Sequence, residues 1–135
     1  MISDVKEITR LLDNIDLPAI SIASAQDDDI MQIIKLLKER YSSTKFTVTG
    51  NSSLINALLE KHGIASSSIQ ILHCDSEDQS AEMAVEQIKN KNCAVLMKGC
   101  LQTSVFIRSI VDKEHGLLNH KLMSQITICN RPEGN

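Results

Sequence analysis

Residues 94–104 read Ala94-Val95-Leu96-Met97-Lys98-Gly99-Cys100-Leu101-Gln102-Thr103-Ser104, and an apolar segment carrying Arg108 follows. An apolar run of strand length ends here in a cation, a glycine and then two hydroxyls that open a helix. Gly99 permits a tight turn or close approach of another backbone. Thr103 and Ser104 place hydroxyls beside the free N–H groups of a helix start, where an anion is favoured, and Lys98 adds positive charge. Such a loop could hold a phosphate or another anion. It is not a Walker A loop, because Lys98 precedes the glycine and the G-x-x-x-x-G-K-[ST] spacing is absent. The same residues also read as a turn glycine, a solvated lysine and an N-capping threonine. Spacing alone leaves both readings open.

Other polar clusters carry less. Ser24-Ala25-Gln26-Asp27-Asp28-Asp29 could suggest a Mg²⁺ site, but acidic residues in a first helical turn simply favour the positive end of the helix dipole. Thr49-Gly50-Asn51-Ser52 reads as a turn plus an N-cap. Neither segment has the G-x-G-x-x-G fingerprint, which argues against a hydride-transfer enzyme. His62, His73, His115 and His120 form no helix-spaced pair, and no G-x-S-x-G elbow marks a serine hydrolase. Cys74, Cys93, Cys100 and Cys129 are spread singly, without a C-x-x-C pair or histidines at ligand spacing. They read as reduced thiols behaving as small hydrophobes, with no metal bound.

The elements that must position the loop follow from periodicity. Ile30, Ile33, Ile34 and Leu37 mark one helix face, and Ala81, Ala84, Val85 and Ile88 another, in a helix over about 76–91 whose Ser76 and Gln79 have capping-box spacing. Leu54, Ile55, Leu58 and Leu59 lie between a candidate cap at Asn51 or Ser52 and Gly63, giving a third helix. Val5, Ile8, Leu12 and Ile15 predict an N-terminal helix stopped before Pro18. Strand-length runs rich in β-branched residues occupy 19–23, 45–49, 69–73, 93–97 and 125–129, with a helix over 103–112 between the last two. This alternation predicts right-handed βαβ units: an α/β fold with a mainly parallel sheet of about five strands and helices on both faces.

Composition sets the outer limits. The 135 residues fit a single domain, with 42% hydrophobic and 23% charged residues. Two Phe, one Tyr and no Trp leave no aromatic platform for single-stranded nucleic acid, and a net charge of −3 gives no basic stripe for a phosphate backbone. No apolar run approaches the roughly 20 residues of a membrane span, and the N-terminus lacks a secretory layout, so a cytoplasmic location without membrane partners is expected.

Met97-Lys98-Gly99, then Thr103 and Ser104 and then Arg108, resemble the phosphate butyryltransferase branch of the phosphate acetyl/butyryltransferase family. Members carry a strand ending in M-K-G, a Ser/Thr pair opening a helix, an Arg on that helix, and a segment G-L-x-x-G-K-L-x-S-H. Gly116-Leu117-Leu118-Asn119-His120-Lys121-Leu122-Met123-Ser124-Gln125 is similar to that segment, with His120 in place of its Gly and Gln125 in place of its His. Ala23-Ser24-Ala25-Gln26-Asp27 is similar to the family's A-x-A-x-D. The resemblance spans nearly the whole chain and implies the first, N-terminal domain of such an enzyme, without the second domain that closes the active-site cleft. It implies the reaction acyl-CoA + phosphate ⇌ acyl phosphate + CoA, with acyl-CoA and phosphate as substrates and no further cofactor. Lys98, Gly99, Thr103, Ser104, Arg108 and Ser124 are the implied substrate-binding residues. No catalytic acid or base is assigned, and a homo-oligomer stays open. The alternative is a non-catalytic module of the same fold that binds coenzyme A or phosphate.

Overall fold

A computed structural model of the chain describes residues 5–13, 15–118 and 123–124. The described elements alternate as expected: α1 (Val5–Leu12), β1 (Ile20–Ala23), α2 (Asp28–Arg40), β2 (Phe46–Gly50), α3 (Ser52–Lys61), a 3-10 turn (Ser66–Ser68), β3 (Ile69–His73), α4 (Glu77–Lys89), β4 (Val95–Lys98) and α5 (Thr103–Val111). The four strands form one sheet in the order β3-β2-β1-β4, and every pairing is parallel. Four strands therefore stand among the described residues where about five are expected; the fifth expected strand, 125–129, lies outside them.

The helix starts carry the chemistry that their residues predict. Asp27, Asn51 and Ser76 are extended N-caps whose side chains accept from the N–H groups of Ile30, Leu54 and Gln79. The capping box is altered in one half: Gln79 Oε1 accepts from the Asp75 N–H at 3.0 Å, one residue before the cap itself. Helix α5 differs from expectation more. Thr103 is its first helical residue, and Gln102 occupies the cap position without a side-chain cap bond.

Strand alternation divides the interior into two layers. On one face Ile20, Ile22, Phe46 and Val48 pack with Ile30, Met31 and Ile34 of α2 and with Ile55 and Leu59 of α3. Each such side chain stabilises the fold by about 1.5–3 kcal/mol through burial. The opposite face presents Ser21, Ala23, Thr47 and Thr49 toward α4, which answers with Ser80, Ala81 and Ala84. Small residues let this helix come close enough for hydrogen bonds. Ser21 Oγ donates to the Ala84 carbonyl at 2.9 Å, and Thr49 Oγ1 donates to the Ser80 carbonyl at 2.8 Å.

Candidate functional site

Because all strands run parallel, the loops that leave their C-terminal ends gather at one edge of the sheet. β1 is the middle of this arrangement. Its last residues meet β4 in register, Ala23 opposite Lys98, and the backbone pairing continues into the loops: Gly99 N–H donates to Ala23 O and Cys100 N–H to Ser24 O, both at 2.8 Å. Gly99 is required by this approach. A Cβ on it would lie 2.3 Å from Ala23 O and 2.4 Å from Ser24 O, both fixed backbone atoms. Ser24 turns the chain out of β1 with φ of 58°, and its N–H donates to Thr49 Oγ1 at 3.2 Å. From the other side, Gln26 Oε1 accepts the Asn51 N–H at 2.7 Å. Gly50, at φ 140°, leaves room for that amide, since a Cβ there would fall 2.4 Å from Gln26 Oε1.

These contacts hold a cleft of about 370 Å³ lined by Ser24, Gln26, Asn51, Leu54, Cys74, Asp75, Ser76, Glu77, Ser80 and Cys100. Lys98 ends β4, and its side chain is exposed. Its only described contact is a long one of 3.4 Å from Nζ to Gly99 O. Thr103 and Ser104 are exposed at the first turn of α5, with no hydrogen-bond partner for either hydroxyl among the described residues. The uncapped start of that helix does have an anionic neighbour: Glu77 Oε2 stands 3.5 Å from the Gln102 N–H. A carboxylate at this distance is a weak hydrogen-bond partner, yet it occupies the direction from which an anion would approach the helix dipole.

Lys98, Gly99, Thr103 and Ser104 thus share one loop and one edge of the sheet. Arg108 does not join them. Its guanidinium pairs at 2.9 Å with Asp78 in the first turn of α4, and it lines a separate groove of about 110 Å³ between α4 and α5, together with Glu82, Asp112 and His115. Asp112, accepting from the backbone N–H groups of His115 and Glu114, has its carboxyl held below the usual value of 3.8. Ser124 is exposed, and no described contact ties it to the loop. Cys74 and Cys93 are buried as expected of small hydrophobes, whereas Cys100 is exposed at the cleft.

One constellation is invisible in the sequence. Ser52 Oγ lies 3.0 Å from His73 Nδ1, and His73 Nε2 lies 2.8 Å from Asp75 Oδ1. Since the Ser52 backbone N–H also donates to His73 Nδ1, at 3.1 Å, the neutral ring carries its proton on Nε2 and gives it to Asp75. The lone pair of Nδ1 is therefore spent in holding the first residue of α3. His73 ends β3 and Lys98 ends β4, three strand spacings apart across the sheet, or about 14 Å. The two groups cannot act on a single atom. Only the strand order reveals this histidine's setting, and no spacing in the sequence encodes that order.

No protein-family model matches the chain. Among curated proteins, it is 29% identical over 114 residues to a probable phosphate butyryltransferase of Bacillus subtilis, covering 84% of this chain and 37% of that protein. It is 27% identical over 128 residues to the phosphate butyryltransferase of Clostridium beijerinckii, covering 95% of this chain and 42% of that one. A phosphate acetyltransferase of Thermotoga maritima matches at 24% over 115 residues, covering 84% and 38%. Among solved structures, a branched-chain phosphotransacylase from Enterococcus faecalis matches with a TM-score of 0.59 at 21% identity, over 71% of this chain and 33% of that one. The resemblance to phosphate butyryl- and acetyltransferases is upheld over most of the chain, and the parallel α/β fold is shared. The chain spans about two fifths of the length of the curated relatives it matches.

Proposed function

We propose that this chain is one domain of a phosphate acyltransferase, contributing one wall of a site that exchanges an acyl group between coenzyme A and inorganic phosphate. The observation that carries this reading is the match to phosphate butyryltransferases over 84–95% of the chain; the Lys98–Ser104 loop follows the C-terminal end of β4, the edge at which open parallel sheets generally bind ligands. Transfer from a thioester to phosphate needs positive charge and hydrogen-bond donors where the phosphate and the developing oxyanion sit. Lys98 Nζ, the hydroxyls of Thr103 and Ser104, and the uncapped N–H groups of α5 are this domain's contribution. Glu77 would give way to the incoming anion. The cation of Arg108, bound to Asp78, stands apart from this set unless that exposed pair opens.

The remaining length of the relatives would supply the opposite wall, together with the groups that handle the leaving thiolate. Alone, the chain should then bind its anions weakly and turn nothing over. A second reading draws on the same partial coverage: a module that binds coenzyme A or phosphate without catalysis. Two measurements separate these. In a thiol-release assay the 135-residue chain is expected to be inactive with acyl-CoA and phosphate, and robust turnover would overturn the one-wall reading. When the domain is joined to the length its relatives carry, activity is expected to appear, and Lys98→Ala should lower kcat/KM by roughly 10²-fold. Its thermal stability should change by no more than about 0.5 kcal/mol, as for an exposed side chain. Absence of activity in the joined protein would favour the module.

A further inference from the structure

The segment Ala23-Ser24-Ala25-Gln26-Asp27 leaves β1 at the corner on which the Lys98 loop rests, and each of its residues but one has an evident task. Ala23 O and Ser24 O accept the N–H groups of Gly99 and Cys100. Ala25 is fully buried in the layer that packs α2 and α3 against the sheet, and Asp27 caps α2 by accepting from the Ile30 N–H. Gln26 remains. It is polar and partly buried, and it belongs neither to the apolar layer nor to a helix cap.

The corner needs a brace. Ser24 is a non-glycine residue at φ 58°, a left-handed conformation that persists only where its surroundings hold it. From β2, Thr49 Oγ1 accepts the Ser24 N–H at 3.2 Å and Thr49 O accepts the Ala25 N–H at 3.0 Å. Gln26 holds the other side. Its N–H donates to Ser24 O at 2.9 Å, sharing that oxygen with the Cys100 N–H, while its side-chain Oε1 accepts the Asn51 N–H at 2.7 Å. Asn51 in turn caps α3 through the Leu54 N–H. Gly50 is matched to this arrangement, because a Cβ there would lie 2.4 Å from Gln26 Oε1 and 3.1 Å from both Cδ and Cγ. The whole side chain of Gln26 is thus packed against a residue that has none.

We propose that Gln26 is a positioning residue for the Lys98–Ser104 loop. By tying the Ser24 corner to the capped start of α3, it sets the place of the two carbonyls from which Gly99 and Cys100 hang. It acts through Ser24 rather than on a substrate. Without its accepting oxygen, the Asn51 N–H loses its partner, the left-handed corner loses one of its two supports, and the loop is freed to move away from β1. The consequence for turnover rests on the phosphate acyltransferase reading above, whereas the consequence for the loop does not.

The test is hydrogen exchange of the Gly99 and Cys100 amides in the 135-residue chain, with the Val48 amide of the inner strand β2 reporting general opening. Gln26→Ala is expected to speed exchange at Gly99 and Cys100 about tenfold relative to Val48, the size of one lost hydrogen bond with its donor left unpaired. Gln26→Met keeps the bulk without the accepting oxygen and should do the same, so it keeps the test open where Gln26→Ala fails to fold. Gln26→Glu retains that oxygen and should stay within about twofold of the parent. Equal acceleration at all three amides would mark a general loss of stability and overturn the proposal, as would unchanged exchange at Gly99 and Cys100 in the Ala and Met variants. In the protein joined to the length its relatives carry, Gln26→Ala should lower kcat/KM for phosphate about tenfold through misplacement of the loop, with recovery in Gln26→Glu. Loosened exchange with unaltered kinetics would overturn the role in turnover. Inactivity of the joined parent would instead count against the acyltransferase reading, and the exchange result would still decide the positioning of the loop.

Discussion

The two faces of the sheet are built from alternate residues of the same strands, yet they hold their helices by different means. Toward α2 and α3 the strands offer Ile20, Ile22, Phe46 and Val48, and the contact is bulk against bulk. Toward α4 they offer Ser21, Ala23 and Thr49, and the contact is a short approach fixed by hydroxyl-to-carbonyl bonds. Burial of apolar area scales with side-chain size and tolerates small shifts in position. A hydrogen bond between a strand hydroxyl and a helix carbonyl does not. The cleft at the sheet edge draws on both faces: α4 and its cap supply Ser76, Glu77 and Ser80, while α3 and its cap supply Asn51 and Leu54.

Opposite substitutions should therefore hurt opposite faces. Ile34→Ala on α2, where the side chain is fully buried, should cost about 2–5 kcal/mol in urea denaturation. Ala84→Leu on α4, adding bulk where none fits, should cost about 1–3 kcal/mol; if it were neutral, the idea of a close-approach face would fail. Thr49→Val keeps the shape, but it removes both the bond to Ser80 O and the acceptor for Ser24 N–H. A loss of about 1–3 kcal/mol is expected, from the groups left unpaired.

The smallest effect belongs to the outer rim of the bulk-held layer. Lys61 first, and then His62, hydrogen-bond to Asp28 and hold its carboxyl below its usual 3.8. Because the folded value is the lower one, this contribution is present above about 3.8 and fades as pH falls through the depressed folded value. A carboxyl ¹³C titration of Asp28 should thus show a midpoint below 3.8 that returns toward it in Lys61→Met. An unchanged midpoint would mean that the pair is idle in solution.

Much of the fold was legible because it is written locally. β-branched runs mark the strands, and Asn51 and Ser76 mark helix starts with side chains that compete for backbone N–H groups. The strand order is not local, and everything that depends on it escaped the sequence. Ser52 meets His73 because β2 and β3 are neighbours with Gly50 opposite His73. Arg108 turns to Asp78, a residue 30 positions earlier, because α4 and α5 lie side by side. Gln102, with no signal of its own, took the cap position expected of Thr103.

The bonds from Gly99 and Cys100 back to Ala23 and Ser24 also set a timetable. β1 can pair with β2 once about thirty residues are available, but its other edge must wait for a strand some 75 positions further along the chain. Closing so long a loop costs entropy before any contact offsets it, and folding slows as such distant pairings accumulate. The loop after β4 is thus assembled by the last and longest-range pairing of the described sheet. During synthesis β1 would leave the ribosome long before the partner that pairs with its other edge, and a nascent chain halted before Val95 would hold β1, β2 and β3 without β4 or the loop that follows it.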